Sequence, residues 1–287
     1  MKKGILFIIG IFLVLSLFLV NTANSAFSNW GNSSNLTILN TPPDVVVLDS
    51  PADNNVTINR TPEFSWNAGT DNDSSDSLTY DLNLSCFYQD GSPCSDDDRL
   101  YEGISSLNYV IPIYLKYLKD NNYYYNWTVR AYDGEDYGQW ATPRKIEIQS
   151  YIAVSLPNAT VNLGSLNISE TKNTSTDNPA PLLLQNDGNC LLNTTINATD
   201  LWESVSNPSD YYKYKIDNKS GEEGSFDWQR STTSWTQIPS ASQIAIVSFN
   251  WTDATDTAEV DILVTVPPQE GSGDKSSVLY FGSELGE

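Results

Sequence analysis

The sequence predicts an all-β protein that contains two β-sandwich domains in series. Three observations support this fold class. Short segments alternate between apolar and polar residues, turn residues separate these segments, and aromatic residues make up 11% of the 287 residues, which is enough to build a core. Outside the N-terminus, residues 111–121 are the one stretch with a pattern that could turn helically.

The N-terminus has the features of a secretory signal peptide. Met1-Lys2-Lys3 is followed by an uncharged apolar run from Gly4 to Val20, and then by small and polar residues up to Ala26. We therefore expect residues 1–26 to form a signal helix that is cut after Ser25 or Ala26. An uncleaved membrane anchor and a pilin-type leader cut after Gly4 are the alternatives. Residues 27–43 are polar and are predicted to form a flexible arm.

Residues 44–149 form the first predicted sandwich. In the segment 78–86 five apolar side chains share one phase, and the polar side chains between them share the other. The segment 125–131 alternates in the same way and leads into an Asp133-Gly134 turn. About seven short strands in about 105 residues are typical of immunoglobulin-like and fibronectin type III sandwiches.

Four strings in this region resemble the fibronectin type III-like modules of prokaryotic surface proteins. They are SPAD at 50–53, TPEFSW at 61–66, LTYDL at 78–82 and YNWTVRAYDG at 125–134. The resemblance covers residues 45–149. It implies that Trp66 is a core residue of an early strand and that Tyr125 makes a corner hydrogen bond. The Cys86 to Cys94 loop departs from the plain module.

Residues 150–287 form the second predicted sandwich. Apolar and polar residues alternate over 259–266, Asp187-Gly188 is a hairpin signal, and a last strand is predicted at 276–281. The segment 201–251 alternates less clearly and is predicted to be an aromatic-rich insertion. The strings VNLG at 161–164, LQNDGN at 184–189, VTVPP at 264–268 and GDKSS at 273–277 resemble uncharacterised surface β domains of archaeal exported proteins. This second resemblance implies location and architecture.

The composition argues against several classes of function. The chain has 36 acidic and 15 basic residues, and its formal net charge of -21 repels the phosphates of nucleic acids. Histidine is absent, which excludes Ser-His-Asp and Cys-His catalytic sites and histidine-ligated zinc. We therefore predict a protein that is not an enzyme, carries no cofactor and binds no nucleic acid.

Fourteen Asn-x-Ser/Thr sequons indicate N-glycosylation. Several lie on the polar phase of a predicted strand, where a glycan would project into water. The alternative is that a β surface rich in Asn, Ser and Thr produces sequons by chance. The sequon asparagines are Asn32, Asn35, Asn55, Asn59, Asn72, Asn83, Asn126, Asn158, Asn167, Asn173, Asn193, Asn197, Asn218 and Asn250.

The three cysteines predict one disulfide. Cys86 and Cys94 flank an Asp90-Gly91 turn, so they are close enough in sequence to form a local bridge in an oxidising compartment. Cys190 is predicted to be a small buried core residue, with an intermolecular disulfide as the alternative.

Two further groups are candidate binding sites. Asp71, Asp73 and Asp76 offer a structural Ca²⁺ site, although an ordinary hydrated loop is the alternative. A set of aromatic residues in the predicted insertion offers a stacking platform for sugars, although the same rings could instead pack against the sandwich. This set consists of Trp202, Tyr211, Tyr212, Trp228 and Trp235.

Together these features predict a non-catalytic, N-glycosylated, extracellular protein at the surface of an archaeal cell, with a structural or adhesion role. Its partners would be other surface proteins or polysaccharide, and it would contact the membrane only through an uncleaved N-terminal segment. A carbohydrate-binding protein that uses the aromatic residues is one alternative. The other is a filament subunit, a homo-oligomer in which the arm 26–39 adds a strand to an open sheet edge of a neighbour.

Overall fold

The regular structure follows the alternation of apolar and polar side chains. A computed structural model describes residues 39–73, 77–176 and 178–286. Within these ranges the regular elements are β-strands and one 3-10 turn, so the predicted all-β class is confirmed. No helix in these ranges is long and apolar enough to cross a bilayer. The predicted signal helix, residues 27–38 of the arm, Asn32, Asn35 and Asp76 lie outside the described residues.

The described strands have the following bounds. The first eight are β1 Leu48–Ser50, β2 Asn55–Thr57, β3 Glu63–Trp66, β4 Thr79–Tyr88, β5 Arg99–Ile104, β6 Asn108–Val110, β7 Tyr123–Tyr132 and β8 Arg144–Ile148. The remaining nine are β9 Val154–Asn158, β10 Thr171–Asn173, β11 Leu182–Asn186, β12 Leu192–Ala198, β13 Tyr212–Asn218, β14 Thr236–Gln237, β15 Gln243–Phe249, β16 Thr257–Thr265 and β17 Leu279–Leu285. The 3-10 turn is Lys119–Asn121.

The chain divides into the units Met1–Thr41 and Pro42–Glu287. Only residues 39–41 of the first unit are described. All of the strands above therefore belong to the second unit.

The first sandwich of this unit consists of a three-stranded sheet, β1-β3-β6, and a five-stranded sheet, β2-β8-β7-β4-β5. Its strands pair antiparallel, except that β2 runs parallel to β8. This order is that of a fibronectin type III or immunoglobulin-like sandwich. The two sheets meet through aromatic rings, because Phe64 lies 5.1 Å from Trp127 and Trp66 lies 5.5 Å from Tyr80, measured between ring centroids. Trp66 is thus a core residue, as the resemblance to fibronectin type III-like modules implies.

The second sandwich consists of the sheets β14-β13-β16-β11-β9 and β15-β12-β17. Strand β16 lies at the centre of the first sheet, since it pairs with β13 on one side and with both β10 and β11 on the other. Buried aliphatic residues alternate along the central strands and fill the space between the sheets, as they do at Leu184, Ile196 and Val260.

Three sequence-based expectations differ from the fold. Residues 201–251 are not an insertion, because they contribute β13, β14 and β15 to the two sheets. The last strand lies at Leu279–Leu285 rather than 276–281, since its pairing with β12 extends to Leu285. Residues 111–121 contain only one 3-10 turn. Ile111, Leu115 and Leu118 are buried and hold the segment against the core.

Candidate functional site

The sequon asparagines lie at the protein surface wherever the structure describes them. Of the fourteen, Asn32 and Asn35 are outside the described residues, and each of the other twelve is exposed or half-buried. Asn186 and Asn189, which do not belong to sequons, are by contrast buried. None of the described sequon asparagines is therefore buried in the core.

Two complete sequons lie side by side on β4 and β7. Asn83 is paired with Thr128, and Asn126 is paired with Ser85, so each asparagine faces the hydroxyl residue of the other sequon. The hydroxyl group of Ser85 donates a hydrogen bond of 3.0 Å to Oδ1 of Asn83. Diagonal neighbours in an antiparallel pair are about 7–8 Å apart. Glycans on Asn83 and Asn126 would consequently share one patch of the outer sheet face.

A second surface of this kind lies on β12. Asn193 and Asn197 point outward from this strand, opposite Glu284 and Tyr280 of β17. Oδ1 of Asn193 accepts a hydrogen bond of 3.1 Å from the backbone N–H of Ser248. This contact orients the side chain without burying it.

The predicted disulfide is confirmed. Cys86 on β4 is bonded to Cys94, and their Cα atoms are 5.3 Å apart. Between them the backbone N–H of Tyr88 donates to the carbonyl oxygen of Ser92, which closes a tight turn with Gly91 at a φ of 88°. A positive φ of this size favours glycine.

Cys190 is a free and buried cysteine, as predicted. Its Sγ atom lies 3.6 Å from the carbonyl oxygen of Tyr151. Burial raises the pKa of this thiol. Because the thiolate is the reactive form, burial and the raised pKa both keep Cys190 inert while the protein is folded.

The acidic loop retains two of its three candidate ligands in the described residues, Asp71 and Asp73. Oδ1 of Asp71 accepts a hydrogen bond of 2.8 Å from the backbone N–H of Asp73, and Oδ2 of Asp71 is buried without a hydrogen-bond partner. Within the described ranges no group of three or more His, Cys, Asp or Glu side chains is arranged to hold a metal ion.

The five candidate aromatic residues do not form one exposed platform. Trp202 and Tyr212 are buried in the second sandwich. The indole N–H of Trp202 donates a hydrogen bond of 3.1 Å to the carbonyl oxygen of Tyr211. Tyr211 and Trp235 are half-buried. Trp228 is 45% exposed and is stacked on Phe226 at 5.9 Å. Of the five rings, that of Trp228 is the one most open to a ligand.

A half-open cleft of about 1250 Å³ opens in the second sandwich, lined by residues 159–168 and 270–279. At its rim the ammonium group of Lys275 lies 2.8 Å from a carboxylate oxygen of Glu270 and 3.1 Å from one of Glu203. The bonds that Glu270 receives from Lys275 and Ser204 lower its pKa to about 2. The floor of the cleft includes Leu182, Trp202, Tyr212, Val264 and Phe281.

A buried arginine connects the two sandwiches, and no local sequence pattern predicts this contact. Arg60 follows β2 and donates from Nε to the carbonyl oxygen of Leu115 at 2.9 Å and from a terminal nitrogen to that of Asn189 at 2.7 Å. Its guanidinium carbon lies 5.1 Å from the ring centroid of Tyr114 and 4.7 Å from that of Trp251. Burial lowers the pKa of Arg60, and such a desolvated cation gains from aromatic faces.

The side chain of Asn189 completes this junction. Its Nδ2 atom donates to the carbonyl oxygens of Ile58 at 2.6 Å and Gln149 at 3.0 Å. Its Oδ1 atom accepts a hydrogen bond of 2.7 Å from the backbone N–H of Tyr151. The two sandwiches are thus joined by hydrogen bonds from the buried side chains of Arg60 and Asn189. Arg60 and Trp251 each lie at the central position of a sequon. The sequon motif indicates a role only for the asparagines that precede them, Asn59 and Asn250.

No protein-family model matches the chain, and no curated protein matches it. Solved structures that match include the FN1–FN3 domains of chicken CNTN1, with 10% identity and a TM-score of 0.30 over 85% of this chain and 70% of that one. A segment of two fibronectin type III domains from chicken tenascin matches with 11% identity and a TM-score of 0.23, over 85% of this chain and 99% of that one. An α-L-rhamnosidase from Aspergillus terreus matches with 10% identity and a TM-score of 0.24 over 85% and 29%. The fold assignment rests on the strand order and register of the two sandwiches.

Proposed function

We propose that this protein is a non-catalytic, N-glycosylated component of the archaeal cell surface with a structural or adhesion role. The observation that carries the proposal is the surface position of all twelve described sequon asparagines. The local disulfide supports it, because such bonds persist outside the cytoplasm.

The charge and the packing of the chain suit this role. A net charge of -21 keeps neighbouring molecules apart, so that contacts form only where the surface permits them. The two sandwiches are joined through the buried contacts of Arg60 and Asn189, which would transmit a mechanical load from one to the other.

The proposal is tested on the protein recovered from its own producing cells. Intact-mass measurement and peptide mapping should show several glycans, and a membrane-impermeant biotin reagent should label the protein on whole cells. Asn83→Gln should remove the mass of one glycan. Asn162→Gln, at an exposed asparagine outside any sequon, should remove none. A chain without glycans that the reagent does not reach would overturn the proposal.

Carbohydrate recognition is a second candidate, supported by the exposed ring of Trp228. A platform with this ring would bind polysaccharide by stacking on a sugar face. Affinity electrophoresis in soluble polysaccharides measures such binding directly. A retardation that disappears in Trp228→Ala would support this candidate, and equal mobility of both proteins in every polysaccharide would exclude it.

A further inference from the structure

The outer edge of β17 is unpaired among the described residues. Strand β17 pairs with β12, and no other strand of the described residues lies on its far side. All seven of its residues, Leu279–Leu285, are exposed or half-buried. Alternate N–H and C=O groups of an antiparallel edge strand point away from its neighbour, so this edge has a row of hydrogen-bonding groups that β12 does not use.

Other sheet edges in the described residues are protected against pairing. Strands β1, β2, β6 and β14 are two or three residues long. Strand β9 contains Pro157 and a register shift, β5 contains a register shift and Gly103 at a φ of 68°, and β15 contains register shifts and Ser248 at a φ of 52°. Short strands, prolines and bulges are the devices by which proteins block edge-to-edge association.

Strand β17 has none of these devices. Its seven residues pair with β12 without a register shift, and they contain no proline and no lysine or arginine. Its one charged residue is Glu284. A regular, accessible and nearly uncharged edge of this length is suited to receive another strand.

We propose that β17 pairs antiparallel with β17 of a second copy of this chain, about a two-fold axis at Gly282. This register aligns all seven residues, with Leu279 opposite Leu285 and Tyr280 opposite Glu284. Glu284 then faces a tyrosine and not the partner's Glu284, which matters because two chains of net charge -21 must approach each other. A register centred on Glu284 would oppose the two carboxylates.

Self-pairing also limits the size of the assembly. A two-fold contact uses the same strand on both copies and leaves no further β17 edge to pair. The glycan candidates Asn193 and Asn197 lie on β12, one strand inward, and project from the sheet face rather than from its edge. Strand pairing therefore gives a closed dimer that is compatible with glycans on that face. This inference does not depend on where in the organism the protein acts.

Sedimentation equilibrium of the full chain over a range of protein concentrations tests the proposal. The wild-type protein should show a reversible monomer–dimer equilibrium. In the proposed register Tyr280→Glu places a carboxylate opposite Glu284 of the other copy at both ends of the paired strands. This repulsion should raise the dimer dissociation constant about tenfold. Adding Glu284→Lys to this variant should restore the dimer, because each new carboxylate then faces a new ammonium group.

Ile244→Glu is the matched control, since Ile244 is an exposed residue on β15, at the opposite edge of the same sheet. It should leave the dimerisation constant unchanged, and circular dichroism should show that all variants are folded. A wild-type protein that stays monomeric would overturn the proposal. So would a dimer that is insensitive to Tyr280→Glu, a double variant without rescue, or open polymers in place of the dimer.

Discussion

The guanidinium group of Arg60 binds the backbone carbonyl oxygen of Asn189 at 2.7 Å across 129 residues of sequence. Arg60 belongs to the first sandwich and Asn189 to the loop between β11 and β12 of the second. A third guanidinium bond, 2.5 Å long, reaches the carbonyl oxygen of Lys116. The two sandwiches are thus coupled by a buried cation that binds backbone oxygens and aromatic faces.

Replacing Arg60 should weaken this coupling. Arg60→Ala removes three hydrogen bonds from a charged donor and leaves the carbonyl oxygens without it, so we expect a loss of about 3 kcal/mol in the free energy of unfolding. Differential scanning calorimetry should also show one unfolding transition in the wild type and two in the variant. Arg230→Ala, at an exposed arginine 4.0 Å from Asp227, is the control and should have almost no effect. An unchanged single transition in Arg60→Ala would show that the junction does not couple the sandwiches.

The corner hydrogen bond implied for Tyr125 is present and extends to a buried carboxylate. The Tyr125 hydroxyl accepts a hydrogen bond of 2.9 Å from the backbone N–H of Tyr117. It donates a hydrogen bond of 2.5 Å to Oδ2 of Asp97. Burial, together with the bond to Asp97, raises the pKa of Tyr125.

Tyr125→Phe should therefore lower the free energy of unfolding by about 1–3 kcal/mol, because it leaves the N–H of Tyr117 unpaired. Urea denaturation measures this change. Tyr132→Phe is the control on the same strand, since its hydroxyl donates to the carbonyl oxygen of Gly134 at the surface and its loss should matter little. Equal effects of the two substitutions would argue against a special role for the corner.

Glu147 gives the protein a specific sensitivity to acid. Burial by itself would raise the pKa of Glu147, but bonds from Lys119, Lys145 and Gln89 outweigh it and lower the pKa to about 2. Both ammonium groups lie 2.7 Å from the carboxylate. A pKa lower in the folded than in the unfolded chain means that folding favours the ionised form.

The stabilisation from Glu147 should be complete above about pH 5 and should disappear as the pH falls towards 2. Glu147→Gln should accordingly be less stable than the wild type at pH 7, and the difference should shrink across this acid range. Urea midpoints at a series of pH values test the expectation. The urea midpoints of the control Glu102→Gln, at an exposed position on β5, should change with pH in parallel with those of the wild type. A difference for Glu147→Gln that is constant with pH would contradict the assignment.

Trp202 and Trp228 should respond differently to truncation. Trp202 is 8% exposed, and Trp202→Ala should cost about 3–5 kcal/mol by opening a cavity in the second sandwich. Trp228→Ala, at a ring that is 45% exposed, should change stability by less than about 0.5 kcal/mol. Thermal unfolding monitored by near-ultraviolet circular dichroism distinguishes these outcomes, and a severe loss on Trp228→Ala would place that ring in the core.

Local sequence patterns were sufficient to predict the fold class and the short-range features. Strands β4, β7 and β16 were visible because each side chain alternates between core and solvent, and this period is a property of neighbouring residues. The disulfide was also predictable, because Cys86 and Cys94 are only eight residues apart and flank a turn. The burial of Trp66 was implied by the resemblance of the string TPEFSW to fibronectin type III-like modules.

Long-range packing determines which residues with similar local patterns are buried, paired or free. Trp202 and Trp228 stand in similar aromatic-rich sequence, yet packing against β13 and its neighbours buries one and leaves the other in solvent. The contact between Arg60 and Asn189 and the open edge of β17 depend on which distant strands become neighbours. Such pairings arise from the packing of whole sheets, and local periodicity carries no information about them.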